Sequence, residues 1–211
     1  MNLIIKQIQT KLKDHKLYQG AIDGIAGKLT LNAVEKAIEL GICNAQDLYE
    51  CKNPLITEHF RLSELVHSNT AKRLGLSNKP NAQHEANLKQ AVINLWQPAR
   101  DILKKPILIN SGYRSPEVNR AVGGSRTSAH SIGFAIDFVS PSFGSTRMIA
   151  DKLSKEFKAK GIKFDQLILE FPDSLSSWVH LGYKNAQGHQ RQQLLTAKKV
   201  NGRTQYFNGL L

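Results

Sequence analysis

Nowhere does the chain hold the roughly 20 uninterrupted apolar residues that a membrane-spanning helix needs, so a soluble protein is expected. Cysteine is nearly missing. Two thiols, Cys43 and Cys51, in 211 residues exclude a disulfide framework and read as free thiols of a reducing compartment. Proline is scarce, at 7 residues, and with an apolar content of 41% this excludes a disordered chain. Aromatic residues make up only 7% and are not interleaved with basic ones, and no finger, RNP-like or helix-turn-helix pattern occurs. No nucleic-acid partner is therefore expected. The opening MNLIIKQIQT lacks a basic n-region, a long apolar core and a small-residue cleavage site, so a secretory signal is not expected and action outside the cell would need another exit route. Acidic residues are in deficit as well, 17 against 29 basic. The imbalance is concentrated late: residues 174–211 hold Lys184, Arg191, Lys198, Lys199 and Arg203 with no Asp or Glu. A positive field of this kind attracts polyanions, among them the phosphate-rich polymers of a bacterial envelope.

Ile4, Ile8 and Leu12 recur at a spacing of four and predict an amphipathic helix over 4–16. Gly20, Gly24 and Gly27, with the Asp23-Gly24 pair, mark tight turns. Thr30 is placed to cap a second helix carrying Leu31, Val34, Ile38 and Leu40. Two short helices around a glycine-punctuated loop make a small helical module, bounded at 1–54 by a linker at Lys52-Asn53-Pro54. Tyr18, Gly20, Ile22-Asp23-Gly24-Ile25, Gly27, Thr30 and Ala33-Val34 resemble, in order, the signature of peptidoglycan-binding domain-1-type modules. The resemblance implies a grip on bacterial peptidoglycan, with Tyr18, Asp23 and Gly24 at the wall-binding site.

Residues 55–211 change character. Leu88, Ala91, Val92, Leu95, Ala99, Ile102 and Leu103 trace a long helix over 86–105 that Pro98 should kink and Pro106 should end. Ile107–Ile109 reads as a buried strand, Ser115-Pro116-Glu117 as a helix start and Phe134–Val139 as a further strand. Met148–Lys160 reads as a helix, and Gln166–Leu169 with Trp178–Leu181 as a closing pair of strands. The fold class is α+β: a small helical N-terminal module, then a mixed domain with an antiparallel sheet.

Chemistry concentrates in SGYRSPEVNRAVGGSRTSAHSIGFAIDF, residues 111–138. His130 sits in a glycine- and serine-rich loop, Asp137 in the strand that follows and His180 in a later strand. An aspartate flanked by Ala135-Ile136 and Phe138-Val139 needs a partner or a metal. Two imidazoles and a carboxylate form a three-ligand set for one catalytic zinc ion, leaving the fourth position to a water whose pKa falls to about 7. His15, His59, His67, His84 and His189 show no such company and read as ordinary histidines.

Ser128-Ala129-His130 through Gly133, Ala135 and Asp137, with Trp178-Val179-His180 downstream, resembles the zinc peptidases related to D-Ala-D-Ala carboxypeptidase over about residues 58–208. That family includes carboxypeptidases, dipeptidases and phage endolysins acting on peptidoglycan peptides. The resemblance implies that His130, Asp137 and His180 bind zinc and that Arg114 faces the oxyanion, with Tyr113 and Ser128 at the substrate. Glu170 is the expected general base and Asp173 the second choice, since the position three before the last ligand, a carboxylate in several relatives, is Ser177 here. An endolysin-type hydrolase, released through a separate membrane pore and acting as a monomer, is the leading expectation. A D,D-carboxypeptidase and a non-catalytic wall-binding protein are the alternatives.

Overall fold

A computed structural model describes residues 2–211. Along the chain run α1 (Leu3–Asp14), α2 (Lys28–Glu39), α3 (Ala45–Lys52), β1 (Leu55–Thr57), β2 (Phe60–Arg61), α4 (Leu62–Val66), α5 (Asn69–Leu74) and α6 (Ala82–Ala91). Then follow α7 (Gln97–Leu103), β3 (Leu108–Ser111), α8 (Pro116–Ala121), β4 (Ala135–Val139), α9 (Thr146–Lys160), β5 (Gln166–Glu170), β6 (Trp178–Gly182), β7 (Gln193–Val200) and β8 (Arg203–Asn208). The chain divides into two compact units, Met1–Leu62 and Ser63–Leu211.

In the first unit Ile5, Ile8 and Leu12 of α1 pack against Ala33, Val34 and Ala37 of α2, with Cys43 and Cys51 in the same cluster. Both thiols are free and buried. A third helix, α3, was not expected; its signal was the capping box in which Asn44 and Asp47 satisfy each other's backbone N–H groups. The glycine loop is organised by Gln9, fully buried on α1. Its Oε1 accepts the Gly24 N–H at 2.8 Å, and its amide nitrogen lies 2.9 Å from Asp23 Oδ1, 3.1 Å from the Ile25 carbonyl and 3.2 Å from Tyr18 Oη. Gly24 has φ +77°, and a Cβ there would come within 2.8 Å of the Asn2 carbonyl, so only glycine fits. Of the residues expected as wall contacts, Tyr18 Oη, Asp23 Oδ1 and the Gly24 N–H are engaged with Gln9, while Asp23 stays exposed. The capping expectation is corrected: Gly27, not Thr30, is the N-cap of α2, and Thr30 is buried near Gln9 at 3.4 Å. Gln9→Ala would strand several buried donors and acceptors at once. It should lower this unit's unfolding free energy by about 2 kcal/mol in urea titration.

In the second unit the sheet order is β3-β4-β6-β5-β7-β8. The expected antiparallel sheet is mixed: β3, β4, β6 and β5 pair antiparallel, but β7 runs parallel to β5. The reason lies in the connection after β6. It crosses the start of β5, where Gln192 donates to the Phe164 carbonyl at 3.0 Å, and the chain re-enters the sheet in the direction of β5. Arg191 anchors the crossing by two 2.7 Å bonds to the buried carboxylate of Asp165. The basic C-terminal stretch is therefore no tail but the β7–β8 hairpin.

Strand periodicity divides the sheet into two faces. Ile136, Phe138, Leu167, Leu169, Val179 and Leu181 are all buried on one face, against which α9 lies with Ile149, Leu153 and Phe157. Trp96 is fully buried and its indole N–H donates to the Leu181 carbonyl at 3.2 Å. It belongs to a π-helical turn, Val92–Trp96, between α6 and α7. The wider turn precedes Pro98, whose ring would otherwise meet the carbonyl four residues back. The Ile107–Ile109 expectation also changes: β3 is an edge strand, and Leu108 is 52% exposed. The opposite face carries Asp137, His180 and Glu170 beside apolar residues such as Ile168 and Leu195.

Candidate active site

Asp137 on β4 and His180 on β6 are direct cross-strand partners, so their side chains share the polar face. His130 arrives from the 3-10 turn Ala129–Ile132, which ends on Gly133 at φ +79° before the chain enters β4. The three side chains are almost wholly buried. His130 Nε2 stands 3.2 Å from Asp137 Oδ1 and 3.2 Å from His180 Nδ1, and His180 Nδ1 stands 2.9 Å from Asp137 Oδ1. Ligand atoms about 2.0 to 2.1 Å from a tetrahedral ion lie about 3.3 Å from each other, close to this triangle.

The protonation pattern points the same way. His130 Nδ1 donates to the Gly112 carbonyl at 2.7 Å, which leaves the Nε2 lone pair facing the other two donors. Burial pushes the His130 pKa down, against the pull of Asp137. Burial works against the charge of Asp137, but the adjoining His130 and His180 rings hold its carboxyl well below the usual carboxylate range. Convergent lone pairs of a neutral imidazole and an ionised carboxylate repel each other unless a cation or a proton lies between them. The donor set therefore fits a zinc ion.

Arg114 flanks the triangle. Its guanidinium contacts Asp137 Oδ2 and lies 3.4 Å from His130 Nε2, and its Nε donates to Ser111 Oγ at 2.8 Å. Two residues that sequence reasoning missed position it. Asn78 donates to the Tyr113 carbonyl at 2.9 Å and accepts from Ser115 N at 2.7 Å, clamping the backbone on both sides of Arg114. Gly112 passes so near Leu65 that a Cβ would lie 2.2 Å from its carbonyl oxygen. Neither side chain carries chemistry, so no residue-type signal marked them.

Glu170 ends β5 on the same face as His180, since Glu170 pairs with Trp178 and Ile168 with His180. It is 7% exposed, and burial pushes its pKa up to about 7, with the Asp137 charge adding to the rise and His180 opposing it. Asp173 is placed elsewhere. Its side chain is 84% exposed and pairs with Lys198 at 3.7 Å, because the chain turns out of the sheet at Phe171 with φ +51°. Ser177 bonds Thr146 Oγ1 at 2.7 Å and does not line the cleft. Ser128 does line it. Tyr113, expected at the substrate, is a core side chain, 3% exposed with its hydroxyl 3.2 Å from His84 Nδ1.

The triad, Arg114 and Glu170 share one cleft of about 550 Å³, walled on its far side by Leu195, Thr204 and Tyr206. Next to it lies a second hollow of about 320 Å³, which includes His67, Asn69 and Asn110 and shares Arg114, Val122 and Trp178 with the first.

No curated protein matches the chain. The family described as Peptidase M15 matches residues 58–171, which include His130, Asp137, Arg114 and Glu170 and stop short of His180. M15 peptidases are zinc-dependent, and the cluster just described can hold a metal. Since the match spans more than half of the sequence, the chain belongs to the Peptidase M15 family.

Proposed function

We propose that the protein is a peptidoglycan hydrolase of the endolysin type, cleaving an internal peptide bond of the wall stem peptide or cross-bridge. The observation that carries this reading is the convergence of His130, Asp137, His180, Arg114 and a buried Glu170 on one cleft. His130 Nε2, His180 Nδ1 and Asp137 Oδ1 would hold one zinc ion. Bound there, zinc supplies a Lewis acid and lowers the pKa of water to about 7.

The chain's own residues do the rest. Glu170, ionised, accepts a proton at its carboxylate from the attacking water and returns it to the leaving amine nitrogen. Its raised pKa, about 7, suits both halves of that cycle near neutral pH. Arg114 faces the scissile carbonyl oxygen and stabilises the negative charge that develops there. Asp137 and Ser111 hold the guanidinium still while it does so. Ser128, on the loop that carries His130, lies within reach of a substrate carboxylate in the same cleft.

One feature favours an endopeptidase over a carboxypeptidase. The cleft and the second hollow share Arg114, Val122 and Trp178 in their linings, and the neighbouring hollow offers room for peptide beyond the scissile bond. In the first unit, the glycine loop bears the ordered resemblance to wall-binding modules, which supports delivery to peptidoglycan. The positive excess of the chain supports a further attraction to anionic envelope polymers, weakening with salt.

Digestion of purified sacculi by the zinc-supplied protein, followed by mass spectrometry of the muropeptides, tests the reading. New termini inside the stem peptide or cross-bridge are expected. Freed D-alanine alone would reject the endopeptidase in favour of a carboxypeptidase, and unaltered sacculi would reject a wall hydrolase altogether.

A further inference from the structure

The far wall of the cleft is built by a part of the chain that the family match does not reach. Across the sheet, Glu170 on β5 pairs with Ala197 on β7, and Ala197 pairs with Tyr206 on β8. These three residues thus stand in one row on the polar face. Neighbouring strands lie about 4.8 Å apart, so Tyr206 is rooted about 10 Å from Glu170. Between them Ala197 is fully buried, and the accessible wall of the cleft on this side is formed by Leu195, Thr204 and Tyr206. Tyr206 is 57% exposed. Its hydroxyl makes no hydrogen bond among the described residues and is open to the cleft. Burial, together with the charges of Glu170 and Asp137, raises its pKa, so the hydroxyl remains a donor at neutral pH.

Arg114 stands on the opposite flank of the triangle, beside β3 and β4. A peptide lying across the sheet would therefore present its scissile carbonyl to Arg114 and its leaving amine to Glu170. The segment following that amine then meets the wall formed by Leu195, Thr204 and Tyr206. Resting on the peptidase reading of this cleft, we infer that Tyr206 is a specificity-determining residue that holds the substrate segment on the leaving-amine side of the scissile bond. The ring packs against the segment, and the hydroxyl donates to one of its backbone carbonyls.

The test compares wild type, Tyr206→Phe and Tyr206→Ala as zinc-loaded full-length proteins on two substrates. One is a purified cross-linked muropeptide. The other is the same compound trimmed to a single residue on the leaving-amine side. On the full substrate kcat/KM should fall about 3- to 10-fold for Tyr206→Phe and about 30-fold for Tyr206→Ala, the scale of one hydrogen bond and of that bond plus an aromatic contact. On the trimmed substrate the three proteins should agree within about twofold, and zinc content should be the same in all. Equal kcat/KM of wild type and Tyr206→Ala on the full substrate would overturn the inference. So would an equal loss on both substrates, the mark of a merely structural role. Wild type that cleaves neither substrate would instead sink the functional reading, and this inference with it.

Discussion

Replacing Asp137 by alanine should abolish both zinc retention and hydrolysis, and should do so more completely than replacing His180 by alanine. Asp137 contributes the one formal negative charge among the three donors, and its two oxygens do different work. Oδ1 completes the triangle, 3.2 Å from His130 Nε2 and 2.9 Å from His180 Nδ1, while Oδ2 contacts Arg114. Removing the carboxylate frees the guanidinium, already 3.4 Å from His130 Nε2, to turn its charge on the position a cation would occupy. The variant thus loses a ligand and gains a repulsive neighbour. Loss of His180 removes a neutral ligand only and leaves Asp137 pairing Arg114. Zinc affinity measured by competition with a chelating dye should fall by more than about 100-fold for Asp137→Ala and by clearly less for His180→Ala. An Asp137→Ala protein that binds zinc like the wild type would refute the assignment of this site.

Glu170→Gln should lower kcat by about 10² to 10⁴, the range spanned by positioned general acid–base groups, while making the metal-free protein more stable above neutral pH. Both effects follow from burial of one carboxylate. The folded-state pKa stands near 7 against an ordinary value of 4.5. Between those values the folded state holds a proton that the unfolded state has lost, so stability is full below about 4.5 and declines as pH rises through 7. Glutamine keeps the shape and cannot ionise. At pH 8 the variant's unfolding free energy should exceed that of wild type by about 2 to 3 kcal/mol, and near pH 4 the two should coincide. Guanidinium titrations of metal-free protein at the two pH values check this, alongside turnover of the zinc-loaded forms. Coincident stabilities at pH 8 would mean that Glu170 is not held in a dry, charge-hostile place. Asp173→Asn, at an 84% exposed side chain, should leave kcat within about twofold of wild type.

A good part of this site could be read along the chain because strand periodicity is local. An acidic residue between Ile136 and Phe138, and a histidine between Val179 and Leu181, stand on the face opposite those immediate apolar neighbours whatever the strands pair with. The same periodicity marked β4, β5 and β6, and the 3.6-residue stripe marked α1, α2, α9 and the long helical run that ends at Leu103. Residue chemistry offered His130, Asp137 and His180 as a donor set, and the family resemblance added Arg114 beside them. Beyond that point local pattern carried no information. Glu170 and Asp173 are both carboxylates near the end of β5, and only the turn at Phe171 and the pairing with β6 separate a buried group in the cleft from an exposed one outside it. Tyr113 neighbours Arg114 in sequence, yet its backbone bonds to Leu65 and Asn78 commit its ring to the core. Tyr206 entered the site only because β7 joined β5 in parallel, a choice made by the crossing connection rather than by either strand. Gln9, Asn78 and Gly112 act through single hydrogen bonds or close backbone approaches to residues far along the chain. Contacts of that kind have no period and no composition, so the sequence alone determined which groups could do the chemistry, and the tertiary pairing decided which of them meet.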